Sequence, residues 1–198
     1  AADYFTLSIQ HLPAGIYAAE SYYWRSESYY RLGMHQKSIH DLSAFFKLPG
    51  ANRSKNYVPA HYGMGYAYFS QKNFKSAKDY FERYTTLERN KKSDVFADAL
   101  NRIGDCYFYD RDFRNAELIY TRSANLSPNT GDYALFQSGY VAGLQKKYST
   151  KISRLNDLVK TYPKSEFVDD ALYETGRAYI MLGNEGEALN AYRRLLDL

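Results

Sequence analysis

The stretch from Val95 to Pro128 reads as two helices joined by a tight turn, and this unit returns along the chain. Its first half places Leu100, Ile103 and Tyr107 at i, i+3 and i+7, one face of a helix. A polar turn, Asp110-Arg111-Asp112, follows. The second half carries Phe113, Ala116 and Tyr120 on one face. Pro128 is expected to end it, because proline lacks an N–H and restricts the residue before it. Small residues at Gly104 and Ala116 predict a close crossing of the two helices, with Tyr107 and Tyr120 filling the space beside it.

The same spacing appears as Met64-Gly65-x-x-Tyr68 with Phe74, Ala77 and Phe81, and as Thr175-Gly176-x-x-Tyr179 with Ala188 and Tyr192. Looser copies centre on Ser26 and Gly139. The small residue thus falls at Ser26, Gly65, Gly104, Gly139 and Gly176, in steps of 39, 39, 35 and 37. A recurring period in this range predicts an all-α solenoid of antiparallel helix pairs. The residues resemble the tetratricopeptide repeat (TPR), which implies a right-handed superhelix. The longer steps are expected to lengthen the turns between repeats. Boundaries are expected at 1–13, the second helix of a repeat already begun, then 16–49, 57–90, 94–128, 130–163 and 165–198. In the fourth repeat Lys151 stands where its neighbours carry alanine, which predicts a looser crossing.

The fifth repeat carries the most specific resemblance. Tyr162-Pro163-x-Ser165, Ala171, Tyr173, Gly176, Tyr179, Gly183, Ala188, Tyr192 and Leu195 are similar to the repeats of bacterial cell-envelope TPR proteins of the BamD and Tol-Pal-coordinator type. This implies the periplasm or cell envelope rather than the cytoplasm. Ala1-Ala2-Asp3-Tyr4-Phe5 parallels Ala77-Lys78-Asp79-Tyr80-Phe81, so the chain is expected to open inside a repeat and to be a piece of a longer protein.

Composition narrows the chemistry. A net charge of +4, with acids and bases interspersed, gives no single-sign track for nucleic acid. No run is long and apolar enough to insert directly into a membrane. The single cysteine, Cys106, excludes an internal disulfide and reads as a small core residue. His11, His35, His40 and His61 offer no metal-ligand spacing and read as surface or helix-end residues. Gly63-x-Gly65 lacks the strand and phosphate-loop context of a nucleotide site. The acid pairs Asp110/Asp112 and Asp169/Asp170 lie at a turn and a helix start, where helix and turn geometry account for them. No cofactor and no enzymatic activity are expected.

A surface remains. The resemblance implies that first helices line a concave groove that binds a protein or peptide. Counting helical faces from the small residues predicts Tyr23, Glu27, Tyr30, Tyr62, Tyr66, Phe69, Asn101, Arg102, Asp105, Phe108, Phe136, Tyr140, Tyr173 and Arg177 as its lining. Tyrosine and phenylalanine dominate the set, in a chain that is 17% aromatic. Such side chains bury large area at low rotamer cost, which suits anchors. The Lys/Asn pairing by which some TPR proteins clamp a terminal carboxylate is absent from Tyr62/Tyr66, Asn101/Asp105 and their counterparts. Two other uses fit an aromatic groove: packing against a second copy, giving a homo-oligomer, and stacking of a carbohydrate.

Overall fold

The computed structural model describes residues 1–126 and 131–198. Pro128 and Thr130, the expected end of the third pair and start of the fourth, lie outside the described residues. The described residues form α-helices and one short 3₁₀ turn, and they divide into two compact units, Ala1–Arg89 and Asn90–Leu198.

The first unit holds α1 (Ala2–His11), α2 (Gly15–Arg31), α3 (His35–Lys47), a 3₁₀ turn (Ala51–Arg53), α4 (Tyr57–Ser70) and α5 (Phe74–Leu87). The second holds α6 (Asp94–Tyr109), α7 (Phe113–Ala124), α8 (Gly131–Leu144), α9 (Tyr148–Thr161), α10 (Val168–Met181) and α11 (Glu185–Leu196). Each unit stacks helix pairs, with α2/α3 and α4/α5 in one and α6/α7, α8/α9 and α10/α11 in the other.

One contact explains the pairing. A Cβ built on Gly65, Gly104, Gly139 or Gly176 would lie 3.0 Å or less from the side chain of Phe81, Tyr120, Leu155 or Tyr192. Each partner is 16 residues further on, and Ser26 and Leu42, both fully buried, keep the same interval. The first helix therefore gives up a side chain so that a bulky one from the second can lie on its backbone. The close partner of Gly104 is the Tyr120 ring itself, rather than Ala116 with Tyr120 beside it.

The turn is equally regular. Gly33, Lys72, Arg111, Lys146 and Gly183 all adopt positive φ between 58° and 72°. Each closes a first helix in the left-handed conformation that frees its N–H for an earlier carbonyl, as in Arg111 to Phe108 at 3.0 Å. Asn73 and Asp112 then cap the second helices α5 and α7 with their side-chain oxygens, and Ser93 caps the first helix α6 in the same way.

The fourth pair does not loosen. Leu155 sits on Gly139, and the space for Lys151 comes from Gly143, whose Cβ would meet the Lys151 Cδ at 2.8 Å. Lys151 is buried, and its ammonium donates to Glu174 of α10. Ser165, in the linker before α10, donates to Asp132 at 2.7 Å and accepts from the Phe167 N–H at 3.2 Å. The Tyr-Pro-x-Ser linker is thus a hydrogen-bonded turn tied to the start of α8.

Candidate functional site

In the first unit, Tyr30, Tyr62 and Tyr66 come together on the first helices α2 and α4. The Tyr66 ring meets Tyr62 edge to face at 5.0 Å and Tyr30 at 6.3 Å. Both α4 rings rest on α5, Tyr62 on Tyr84 at 5.1 Å and Tyr66 on Phe81 at 5.2 Å. Phe69 packs on Phe74 at 5.3 Å. All four are half-buried. Their exposed edges are held by ring contacts below, so little rotamer freedom remains to be lost on contact with a partner. Glu27 lies beside this row, its carboxylate oxygen 3.1 Å from a Cβ built on Gly63. Burial raises its carboxyl, and Arg31 only partly offsets this.

Tyr23 does not join the row. It is 8% exposed, packs on Trp24 at 5.0 Å and on Phe45 of α3, and belongs to the core around Leu42, Phe45 and Met64. Burial, with Glu27 and Glu20 nearby, pushes its phenol up to about 12.

In the second unit, Asn101 and Asp105 are buried and likewise present no lining surface. Asp105 accepts short hydrogen bonds from Tyr120 of α7 at 2.5 Å and from Tyr133 of α8 at 2.6 Å. Arg102 pairs with it at 2.6 Å and lies over the Tyr133 ring at 5.1 Å. Burial raises the Asp105 carboxyl against the opposing pull of Arg102 and the two hydroxyls. This carboxylate ties three helices together. Helical counting placed it in the groove because angle alone does not show that hydroxyls from two neighbouring helices reach over it.

A second aromatic row does form here. Phe108 meets Tyr140 at 6.3 Å, Tyr140 stacks on Phe136 at 6.3 Å, and Phe136 stacks on Phe167 at 5.3 Å. Tyr173, 48% exposed, carries Arg177 over its ring at 5.9 Å. Arg177 also donates to Glu174 Oε1 at 2.7 Å.

His61 departs from its expected surface or helix-end place. It is 5% exposed, at the position that leucine fills in three of the other pairs (Leu100, Leu135 and Leu172) and Tyr22 in the first. Its ring stacks on Phe46 at 4.5 Å, and neither nitrogen has a hydrogen-bond partner among the described residues. Burial first, and then Arg83, lower its pKa to about 4. Its sequence signal was positional: a histidine in a column of leucines. Cys106 is buried in the core of α6. Among the described residues no group of three or more His, Cys, Asp and Glu could hold a metal, and no helix is long and apolar enough to cross a membrane.

Two tetratricopeptide repeat models match the sequence, one over residues 58–91 and 97–130, the other over 133–165 and 170–198. A curated relative, the outer membrane protein assembly factor BamD of Xylella fastidiosa (strain Temecula1 / ATCC 700964), is 22% identical over 94% of this chain and 61% of its own length. The chain therefore spans about three fifths of the curated relatives it matches. Among solved structures, the MamA protein superposes with a TM-score of 0.77 at 18% identity, covering 90% of each chain. YrrB, described as a TPR protein with an unusual peptide-binding site, superposes with a TM-score of 0.76 at 20% identity, over 100% of this chain and 93% of its own. Repeat models over most of the sequence, the five-fold turn and crossing, and these superpositions agree: the chain is an all-α solenoid that belongs to the tetratricopeptide repeat family.

Proposed function

We propose that this chain is a protein–protein interaction scaffold that holds a peptide or protein segment against the aromatic faces of its first helices. It serves as part of a larger bacterial cell-envelope repeat protein. The observation that carries the reading is the pair of braced ring rows, Tyr30–Tyr66–Tyr62 and Phe108–Tyr140–Phe136, whose rings touch one another and stay half-buried. Rings fixed by their neighbours offer apolar area and hydroxyl tips without a large ordering cost, which is what a protein-recognition anchor needs. The peptide-binding site of YrrB and the membership of the TPR family support a binding role. The distant likeness to BamD supports the envelope.

The test is affinity capture from a bacterial envelope extract with the wild type and with a Tyr62→Ala, Tyr66→Ala, Tyr140→Ala triple variant. Helical circular dichroism should be retained in the triple. The expected result is one or more proteins recovered by the wild type and lost from the triple. Identical recoveries by two equally helical proteins would refute the assignment of these faces.

A further inference from the structure

The fourth repeat breaks the volume pattern of the others in two places at once. Four residues after the small crossing residue, the other pairs carry Tyr30, Phe69, Phe108 and Ile180, and this one carries Gly143. Twelve residues after it, the others carry Ser38, Ala77, Ala116 and Ala188, and this one carries Lys151. The large side chain is thus moved to the other helix and given a charge. The exchange leaves a pocket of about 350 Å³ between α8, α9 and α10, with Lys151, Glu174 and Arg177 on its wall and Leu144, Ile180 and Met181 at its rim.

Packing does not require this charge. A buried ion pair is often matched or bettered by apolar residues of similar volume, so a methionine at position 151 would fill the site without desolvating an ammonium. The pocket also has an excess of one kind of hydrogen-bonding group. Lys151 has three N–H donors and gives one to Glu174, its only hydrogen-bond acceptor among the described residues. Arg177 has five donors, gives one to Glu174, and leaves its side chain 57% exposed. Two cations against one carboxylate leave a net charge of +1 facing the opening. Burial alone would raise the Glu174 carboxyl, yet the Lys151 and Arg177 donors outweigh it and hold the group below the usual range, so Glu174 stays ionised and fixes both cations in place.

We propose that this pocket is a specificity site for an acidic side chain of the bound polypeptide. The carboxylate of that side chain is gripped by Arg177 and Lys151, and its aliphatic stem lies against Leu144, Ile180 and Met181. The inference rests on the protein-binding reading above and adds a chemical preference to it. Donors left over by Glu174 match the acceptor-only character of a carboxylate, and a guanidinium can hold it with two parallel bonds. A basic side chain would instead bring a third cation to the site.

A displayed library of random heptapeptides selected on the full chain tests this. Binders to the wild type should be enriched in Asp or Glu at one position, and this enrichment should vanish on Arg177→Met, whose change lies at an exposed side chain. A synthetic peptide of the selected sequence should lose about tenfold or more in affinity when its acidic residue becomes the amide. Selected binders with no acidic preference, or a preference that survives Arg177→Met, would overturn the inference and leave the protein-binding reading standing. A library that yields no binder to the wild type would overturn both.

Discussion

At the scale of single residues, His61 is the least comfortable group in the first unit. It occupies a leucine position, stacks on Phe46, and finds no partner for either nitrogen among the described residues. Its folded pKa of about 4 lies below the ordinary value of 6.5, so the unfolded chain binds the extra proton more readily. Its contribution to stability is complete above pH 6.5 and is lost as the pH falls toward 4, amounting to roughly 2–3 kcal/mol from the size of the shift. His61→Phe keeps a ring in the stack and removes the titration. Thermal melts at pH 7.5 and pH 5 should show the variant gaining on the wild type at the lower pH; equal losses in both would refute the assignment. Histidine chemistry is legible in the sequence, but its burial is legible only once the repeats are aligned and the leucine column is seen. The converse holds at Asp105, whose place on the helix suggested solvent and whose partners come from residues 15 and 28 positions away.

At the scale of the element, the pair is defined by a missing side chain. The sequence showed the helices, their order and the small residue at each crossing, because 3.6-residue periodicity and glycine are local signals. It did not show that Tyr120 lies directly on Gly104, since an interval of 16 residues spans a turn whose geometry must first be known. Gly104→Leu is the matching prediction. Its Cβ would come 2.6 Å from the Tyr120 ring, which cannot swing away because its hydroxyl is held by Asp105. Overpacking of this kind costs about 1–3 kcal/mol. Because Asp105 also binds Tyr133, the loss should spread to α8, and amide exchange should quicken in α8 as well as in α6 and α7. A wild-type melting curve, or faster exchange confined to α6, would count against this account of the crossing. Lys151 shows the same limit of local reading. The expected looseness assumed that a lysine must prop the helices apart, whereas Gly143 on the facing helix makes room for it.

At the scale of the whole molecule, charge and apolar surface bear on association. The +4 net charge is spread among 26 basic and 22 acidic residues, so no strong field drives copies together or apart. Large apolar side chains are exposed along the chain, among them Tyr17, Leu118 and Leu189. A scaffold that binds a different protein should scatter light as a 22.9 kDa particle over a wide concentration range. Concentration-dependent growth that Tyr140→Ala abolishes would instead place a second copy on the aromatic face, the self-assembly alternative. Fold class was readable from the repeat period together with the helical spacing inside each repeat. Of the fourteen lining residues expected, Tyr23, Asn101 and Asp105 are buried, because the angle of a residue on its own helix does not report what the neighbouring helices place over it.

The fixed interval between each small residue and the bulky side chain that covers it has a consequence for how such a chain changes over generations. All that a pair needs to close is written inside the pair: the notch, the large side chain that fills it and the left-handed turn between them. The joints between pairs vary in length, with steps of 39, 39, 35 and 37 residues, while the interval inside them does not. A gene of this kind can therefore gain or lose whole pairs by duplication or deletion at the joints. Each inherited copy can then exchange a matched set of residues, as the fourth pair has done at Gly143 and Lys151, without relearning how to fold.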